Sequence, residues 1–413
     1  MTNPQQTKSR QAGTLRRQGP LSKLRVLDLG TMVAGPVAAT LMADFGADVI
    51  KVEQPGTGDT LRGLGPFYEG ECLWWQLEGR NKRSITLDLR QAEGQSLLKR
   101  LVAESDVVIE NFRPGTLEKW NCGYAQLAGV NPALVMLSVS GFGQTGPYAQ
   151  RAGYDRIALA FSGVMGMTGF PDRPPVRIGN SMADYSTATM GAFAVMMALY
   201  NRDVNGGKGQ QIDLALYESV FRFTDSMVLA YDKLGKQRER TGNVHQAAAP
   251  GNTFPTKDGR FLIMTISGDV LFRKLCQAMG RPGMGDDPRY ANHTLRWENV
   301  HELNDIAGRW IVENEVEDVT AALTRNGVPF SLALAVADIF EDPHYEARGN
   351  LETVEHPKLG PLRMQGIVPK MLGTPAGPIE PAHDLGQDNE EVIGGLLGVD
   401  REEFRRLQAQ GVI

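Results

Sequence analysis

The chain has 413 residues, enough for a large core in two lobes. Its formal net charge of −5 lacks the basic field with which a general nucleic-acid binder displaces counterions, although a local basic site for a phosphorylated small molecule is allowed. Cys72, Cys122 and Cys276 are odd in number and far apart, which excludes a disulfide framework and points to a reducing cytoplasm. The six histidines show no ligand spacing, so no metal site is expected.

Residues 1–20 are polar and basic with no apolar stretch behind them, which predicts a disordered tail rather than a secretory signal. No later segment is apolar enough to span a membrane. From residue 24 onward, strand-like and helix-like runs alternate. Leu24–Leu29 reads as a strand, followed by a helix from Pro36 and a second strand over Asp48–Glu53. Ser84–Leu89 predicts a third strand, Ala92–Ala103 a helix, and Asp106–Phe112 and Leu134–Ser140 two more strands. Strands separated by helices pair in parallel through right-handed crossovers, so this half is a doubly wound, Rossmann-like α/β layer.

A long helix is expected over Asp184–Arg202, apolar nearly all round and therefore buried, followed by a short strand over Gln211–Leu216. From 225 to 340 helical patterns surround one strand, Arg260–Ile266, and predict a smaller α+β domain. Extended Pro- and Gly-rich segments over 357–381 and a helix over Glu402–Gln410 close the chain. The expected organisation is thus a large domain over 21–224, a small domain over 225–340, and a return to the large domain over 341–413.

Doubly wound sheets bind ligands outside the carboxyl ends of their strands. Three turns qualify: Gly30–Pro36, Glu53–Asp59 and Glu110–Gly115. Gly30–Gly35 lacks the GxGxxG spacing, and no GxxxxGK[ST] occurs, which disfavours NAD and ATP. Lys51, Lys82, Arg83, Arg90, Arg113 and Lys119 lie in or beside the turns and read either as phosphate contacts or as solvated surface charge. The stretch from Gly153 to Tyr185 is dense in glycine and proline yet continuous with apolar residues, a texture that often carries sites. Asp184 falls where the long helix begins. The helix dipole keeps a carboxylate there ionised, and it reads as a helix cap or as a nucleophile toward an activated carbonyl.

Several motifs stand in a fixed order. Leu27-Asp28-Leu29 leads into Ala34-Gly35-Pro36, then come Phe45–Glu53 with Pro55, Gly58 and Asp59, Asn81–Leu89, and Glu110–Gly115. Ser140–Gly143, Gly153-Tyr154-Asp155, the Asp184 segment and Gly327-Val328-Pro329 follow. From about residue 21 onward the chain resembles a family III CoA-transferase. The resemblance implies a large Rossmann-like domain built from N- and C-terminal segments, a smaller domain between them, and two chains threaded as an interlocked dimer. It implies an aspartate at the Asp184 position that attacks an acyl-CoA to give a mixed anhydride, then carries CoA as an aspartyl thioester to an acceptor acid. Coenzyme A esters enter as substrates, with no tightly bound cofactor. CoA contacts carried over from the family fall on Val33, Ala34, Gln54, Leu87, Arg90, Asn111, Phe112, Arg113 and Lys119.

Two departures are visible. Where relatives carry a glycine run closing over the reacting atoms, this chain reads His245–Gly251. The sibling activity, racemisation of 2-methylacyl-CoA, uses a histidine where Tyr154 stands, and a tyrosine is a poor base near neutral pH. The runs Met32–Thr40, Leu73-Trp74-Trp75 and Gly79–Lys82 are similar to those of transferases that use succinyl-CoA, among them the subunit that activates benzylsuccinate in toluene breakdown together with a sister subunit. Arg156 or Arg177 is expected to pair with the second carboxylate of such a substrate. The remaining alternative is a subunit that acts, or only supports a partner, within a heteromer.

Overall fold

The structure is a computed structural model that describes residues 18–245 and 247–413. The expected disordered tail lies outside the described residues through position 17, as does Gln246 of the expected lid. The chain divides into two compact units. Among the described residues, one takes in 18–164, Ile178–Ser226 and Gly349–Ile413; the other takes in Met165–Arg177 and Met227–Arg348.

The first unit is built on six strands: β1 (Arg25–Asp28), β2 (Asp48–Glu53), β3 (Lys82–Thr86), β4 (Val107–Glu110), β5 (Val135–Ser140) and β6 (Gln211–Ala215). They form one sheet in the order β3-β2-β1-β4-β5-β6, and every neighbouring pair is parallel. This is the doubly wound order that sequence alternation predicts, with the reversal between β1 and β4. The helices used below are α1 (Ala34–Asp44), α2 (Leu73–Glu78), α3 (Ala92–Ala103), α4 (Asp155–Phe161) and α5 (Met182–Asp203).

Buried branched residues of adjacent strands, Leu27, Ile50, Ile85 and Val108, form the centre of the core with Leu98 and Leu101 of α3. The C-terminal segment returns to this core through Val392, Ile393, Phe404 and Val412. Backbone bonds tie it in: the Asp88 N–H donates to the Val412 carbonyl at 2.8 Å, and the Ser84 N–H to Asp388 Oδ2 at 2.6 Å.

The third strand begins at Lys82 rather than Ser84 and ends at Thr86. Lys82 and Arg83 belong to it because both side chains are buried and paired, Lys82 with Asp28 at 2.9 Å and Arg83 with Asp48 at 2.7 Å. The long helix is not buried all round. Phe193, Met197 and Tyr200 of α5 are 63%, 51% and 60% exposed, while Ala188, Val195 and Leu199 face inward.

The second unit holds a three-stranded antiparallel sheet, not the single expected strand. Gly251–Pro255 and Phe330–Leu332 flank Phe261–Thr265 on either side. Its core joins Phe254, Leu262 and Met264 to Phe272, Leu303, Ile311 and Leu323 from three amphipathic helices. The outer strands are weak in sequence because each is short and buries little: Phe254 is the one large buried side chain in Gly251–Pro255.

Candidate active site

The turns after β1 and β4 meet across the topological switch point, and Asn111 joins them. Its Oδ1 accepts from the Thr31 N–H and its Nδ2 donates to the Thr31 carbonyl, both at 2.8 Å. The next residue, Met32, adopts φ 63°, a left-handed conformation costly for a non-glycine side chain. It is held there by Asp59 Oδ1, which accepts the Met32 N–H at 2.8 Å. α1 starts immediately beyond.

Beneath these turns lies a buried charge network. Asp28 at the end of β1 pairs with Lys82 at 2.9 Å and faces Lys51 at 3.6 Å, and Lys51 pairs with Asp59 at 2.9 Å. Burial alone would lower the Lys51 pKa, but Asp28, Asp59 and Glu53 outweigh it and push the ammonium up to about 12. Burial would likewise raise the Asp59 carboxyl, and Lys51 with the Leu61 and Met32 N–H groups brings it below its ordinary value. Lys51, Lys82 and Arg83 are therefore neither surface charges nor free phosphate contacts. All three are paired: Lys51 and Lys82 hold the turns above them through Asp59 and Asp28, and Arg83 pairs with Asp48 at the start of β2.

A cleft of about 300 Å3 opens between the two turns and α5. Thr31–Ala34 form one wall, Asn111–Pro114 a second, and Arg151–Tyr154 a third, with Asp184 among the lining residues. A smaller cleft of about 80 Å3 shares Thr31 and Phe112 with it and is lined further by Lys51, Gln54, Leu87 and Trp120.

Asp184 is not the cap of α5. Ser181 stands at the cap position without a side-chain bond, and Asp184 is the third helical residue. The cap is supplied from a distance: Asp155 Oδ1, at the start of α4, accepts the Ala183 N–H at 2.7 Å. The loop carrying Asp155 is brought in by a glycine pair. A Cβ on Gly141 would lie 2.7 Å from Gly153 Cα, so the two backbones pack at a distance that admits no side chain. Burial first, and the charge of Asp155 second, push the Asp184 carboxyl up to about 7, against the expectation that the helix dipole keeps it fully ionised. Beside it on α5, Tyr185 donates to the buried Glu78 at 2.7 Å and accepts from Trp74 Nε1 at 3.2 Å, anchoring the first turn to α2.

The expected site residues divide into three groups. Val33, Ala34, Asn111, Phe112, Arg113 and Asp184 share the larger cleft, as does Tyr154. Gln54 and Leu87 line the smaller one. Arg90 and Lys119 are exposed and line neither, and Arg90 forks onto Asp88 at 2.8 Å and 3.0 Å. Arg156 on α4 is exposed outside the cleft wall, and Arg177 lies in the second unit. Sequence reasoning missed Arg151, which lines the cleft, and Asp155 as the cap of α5. Neither lies in a helix-start pattern with the residue that it serves, so no local signal marks them.

A carboxyl group that burial raises toward neutrality thus stands in a cleft at the switch point of a doubly wound sheet, the place where such folds take their ligands. The chain belongs to CoA-transferase family III, whose family model matches residues 21–389. It is 45% identical over 95% of its length to a succinyl-CoA–D-citramalate CoA-transferase of Chloroflexus aurantiacus, covering 98% of that protein. It is 42% identical over 95% of its length to the beta subunit of a succinyl-CoA–L-malate CoA-transferase of the same organism, again covering 98%. It is 37% identical over 93% of its length to a succinate–glutarate CoA-transferase of Agrobacterium fabrum, of which it covers 98%. Among solved structures, a CAIB/BAIF family protein from Brucella suis superposes with a TM-score of 0.82 at 35% identity, covering 92% of this chain and all of that one. The protein is thus a CoA-transferase, an enzyme whose substrates are CoA thioesters, as the order of its motifs implies. Among the described residues no helix is long and apolar enough to cross a membrane.

Proposed function

We propose that the protein transfers CoA from succinyl-CoA to a dicarboxylic acid acceptor, with Asp184 as the covalent carrier. The observation that carries this reading is the Asp184 carboxyl, buried at the first turn of α5 and open to the cleft formed at the switch point. Its carboxylate oxygen attacks the thioester carbonyl, the C–S bond breaks, and the thiolate leaves a mixed anhydride. The thiolate then attacks the Asp184 carbonyl and releases succinate, which leaves an aspartyl-CoA thioester. The acceptor carboxylate attacks that thioester, a second anhydride forms, and the thiolate attacks the acceptor's carbonyl to release product and free Asp184. Each step exchanges one acyl bond for another, so the energy of the thioester is conserved.

In this reading Val33, Ala34, Asn111 and Phe112 line the pantetheine path toward Asp184, and Gln54 and Leu87 hold the nucleotide end in the smaller cleft. Arg113 lies on the cleft wall, and the exposed heads of Arg90 and Lys119 serve the phosphates from the rim. The relatives' names support the acceptor class: citramalate, malate and glutarate are all dicarboxylic acids. Benzylsuccinate belongs to the same class. A second copy of the chain, or a paralogous subunit as in the alpha and beta L-malate transferases, covers the exposed apolar face of α5.

The test is mass spectrometry of the protein with succinyl-CoA and D-citramalate, L-malate, glutarate or benzylsuccinate in deuterated water. A new acyl-CoA free of carbon-bound deuterium is expected. Deuterium entering a chiral 2-methylacyl-CoA control, without exchange of CoA between acids, would move the protein to the racemases.

A further inference from the structure

We propose that Arg151 receives the free carboxylate of a dicarboxylic acyl group held at Asp184 and thereby sets the preference for dicarboxylic over monocarboxylic substrates. The proposal rests on the reading of Asp184 as the acyl carrier. Arg151 and Asp184 line the same cleft. The guanidinium lies over the Tyr148 ring, 3.6 Å from its centroid, and the Arg151 N–H donates to the Tyr148 carbonyl at 2.8 Å. Tyr148 is itself fixed edge-on against Phe142 and Phe161, at 6.1 Å and 6.0 Å between centroids. The aromatic cluster orients the planar head without neutralising it.

The buried cations are committed: Lys51 pairs with Asp59, Lys82 with Asp28 and Arg83 with Asp48. Among the described residues no carboxylate pairs with Arg151. A guanidinium presents a rigid fork that matches a carboxylate with two hydrogen bonds, and a stacked one loses little freedom on binding. The free end of a succinyl group is such a carboxylate, two methylenes from the reacting carbonyl. A methyl-terminated acyl chain of equal length leaves the fork unpaired, and a site built for a polar group discriminates strongly against an analogue lacking it. Arg113, the other cleft guanidinium, follows Phe112, one of the two residues shared with the smaller cleft, and is assigned in the proposed reading to the CoA end common to all substrates.

The experiment compares kcat/KM for succinyl-CoA with the inhibition constant of butyryl-CoA as a competitor, in the native protein, Arg151→Met and Arg151→Lys. Arg151→Met is expected to lower kcat/KM for succinyl-CoA by about 10- to 100-fold, the worth of a charge-assisted pair, and to leave butyryl-CoA inhibition within about twofold. Arg151→Lys, which keeps the charge without the fork, should recover part of the loss. A native enzyme selective for dicarboxylic substrates whose selectivity survives Arg151→Met overturns the assignment of Arg151 alone, as does equal loss toward both esters. A native enzyme indifferent to the second carboxylate overturns this proposal together with the acceptor class above it.

Discussion

Asp184 illustrates how a site residue works against the fold that holds it. Burial and the charge of Asp155 raise the Asp184 carboxyl to about 7, whereas the species that attacks in the proposed reaction is the carboxylate. In the free enzyme kcat/KM should therefore rise about tenfold per pH unit below that value and level off above it. Asp155→Asn keeps an acceptor for the Ala183 N–H and removes the like charge, so the acid limb should move to lower pH; an unmoved limb would place the controlling group elsewhere. The same shift has a stability consequence. The folded pKa lies above the ordinary 3.8, so the unfolded chain releases this proton first as pH rises, and the folded state is destabilised progressively between about pH 4 and pH 7. Asp184→Asn should abolish turnover, match the native protein's melting temperature below pH 4 and exceed it at pH 8. Buried Lys51 behaves oppositely, because Asp28, Asp59 and Glu53 outweigh its burial and favour the charged form, whereas burial wins at Lys82 and lowers its pKa. Asp28→Asn strips the charge facing Lys51 and Lys82 and should cost about 3–5 kcal/mol in denaturant unfolding.

At the scale of elements, two close approaches set the cleft. Neither Gly141 nor Gly153 has a left-handed backbone; each is glycine because the other's backbone lies against it. Gly141→Ala should therefore cost about 1–3 kcal/mol through forced separation, and it should reduce activity further by withdrawing the loop that carries Arg151 and Asp155. A thermal melt beside a kcat/KM measurement separates the two effects. The strands and helices around this loop were legible because each has its own period: Asp48–Glu53 is β2 and Ala92–Ala103 is α3, residue for residue. The start of β3 was not, since Lys82 and Arg83 read as surface residues until the carboxylates of Asp28 and Asp48 are placed beside them.

For the whole molecule, α5 marks what a single chain leaves unfinished. Its first turn belongs to the cleft, while Phe193, Met197 and Tyr200 further along stand open to solvent. Large apolar side chains side by side at a surface mark an interaction face. Met197→Glu should lower the mass found by sedimentation equilibrium and lower activity in parallel; an unchanged mass would assign this face another role. The apolar composition of 184–202 predicts a helix buried all round, and within this chain one face is exposed, because composition does not report which face the rest of the fold covers.

The sequence by itself determined the alternating elements, the parallel sheet, the three turns at the strand ends and the family, because these follow from local hydrophobic period, turn residues and motifs in order. The tertiary structure alone decided which charges are available. Lys51, Lys82 and Arg83 are spent on carboxylates of the turns and of other strands, whereas Arg151 has no carboxylate partner among the described residues and stacks on an aromatic cluster at the cleft wall. It also decided that Asp184 is a desolvated carboxyl capped from another helix rather than a cap itself. Protonation and pairing depend on burial and on neighbours distant in sequence, and these exist only once the chain has folded.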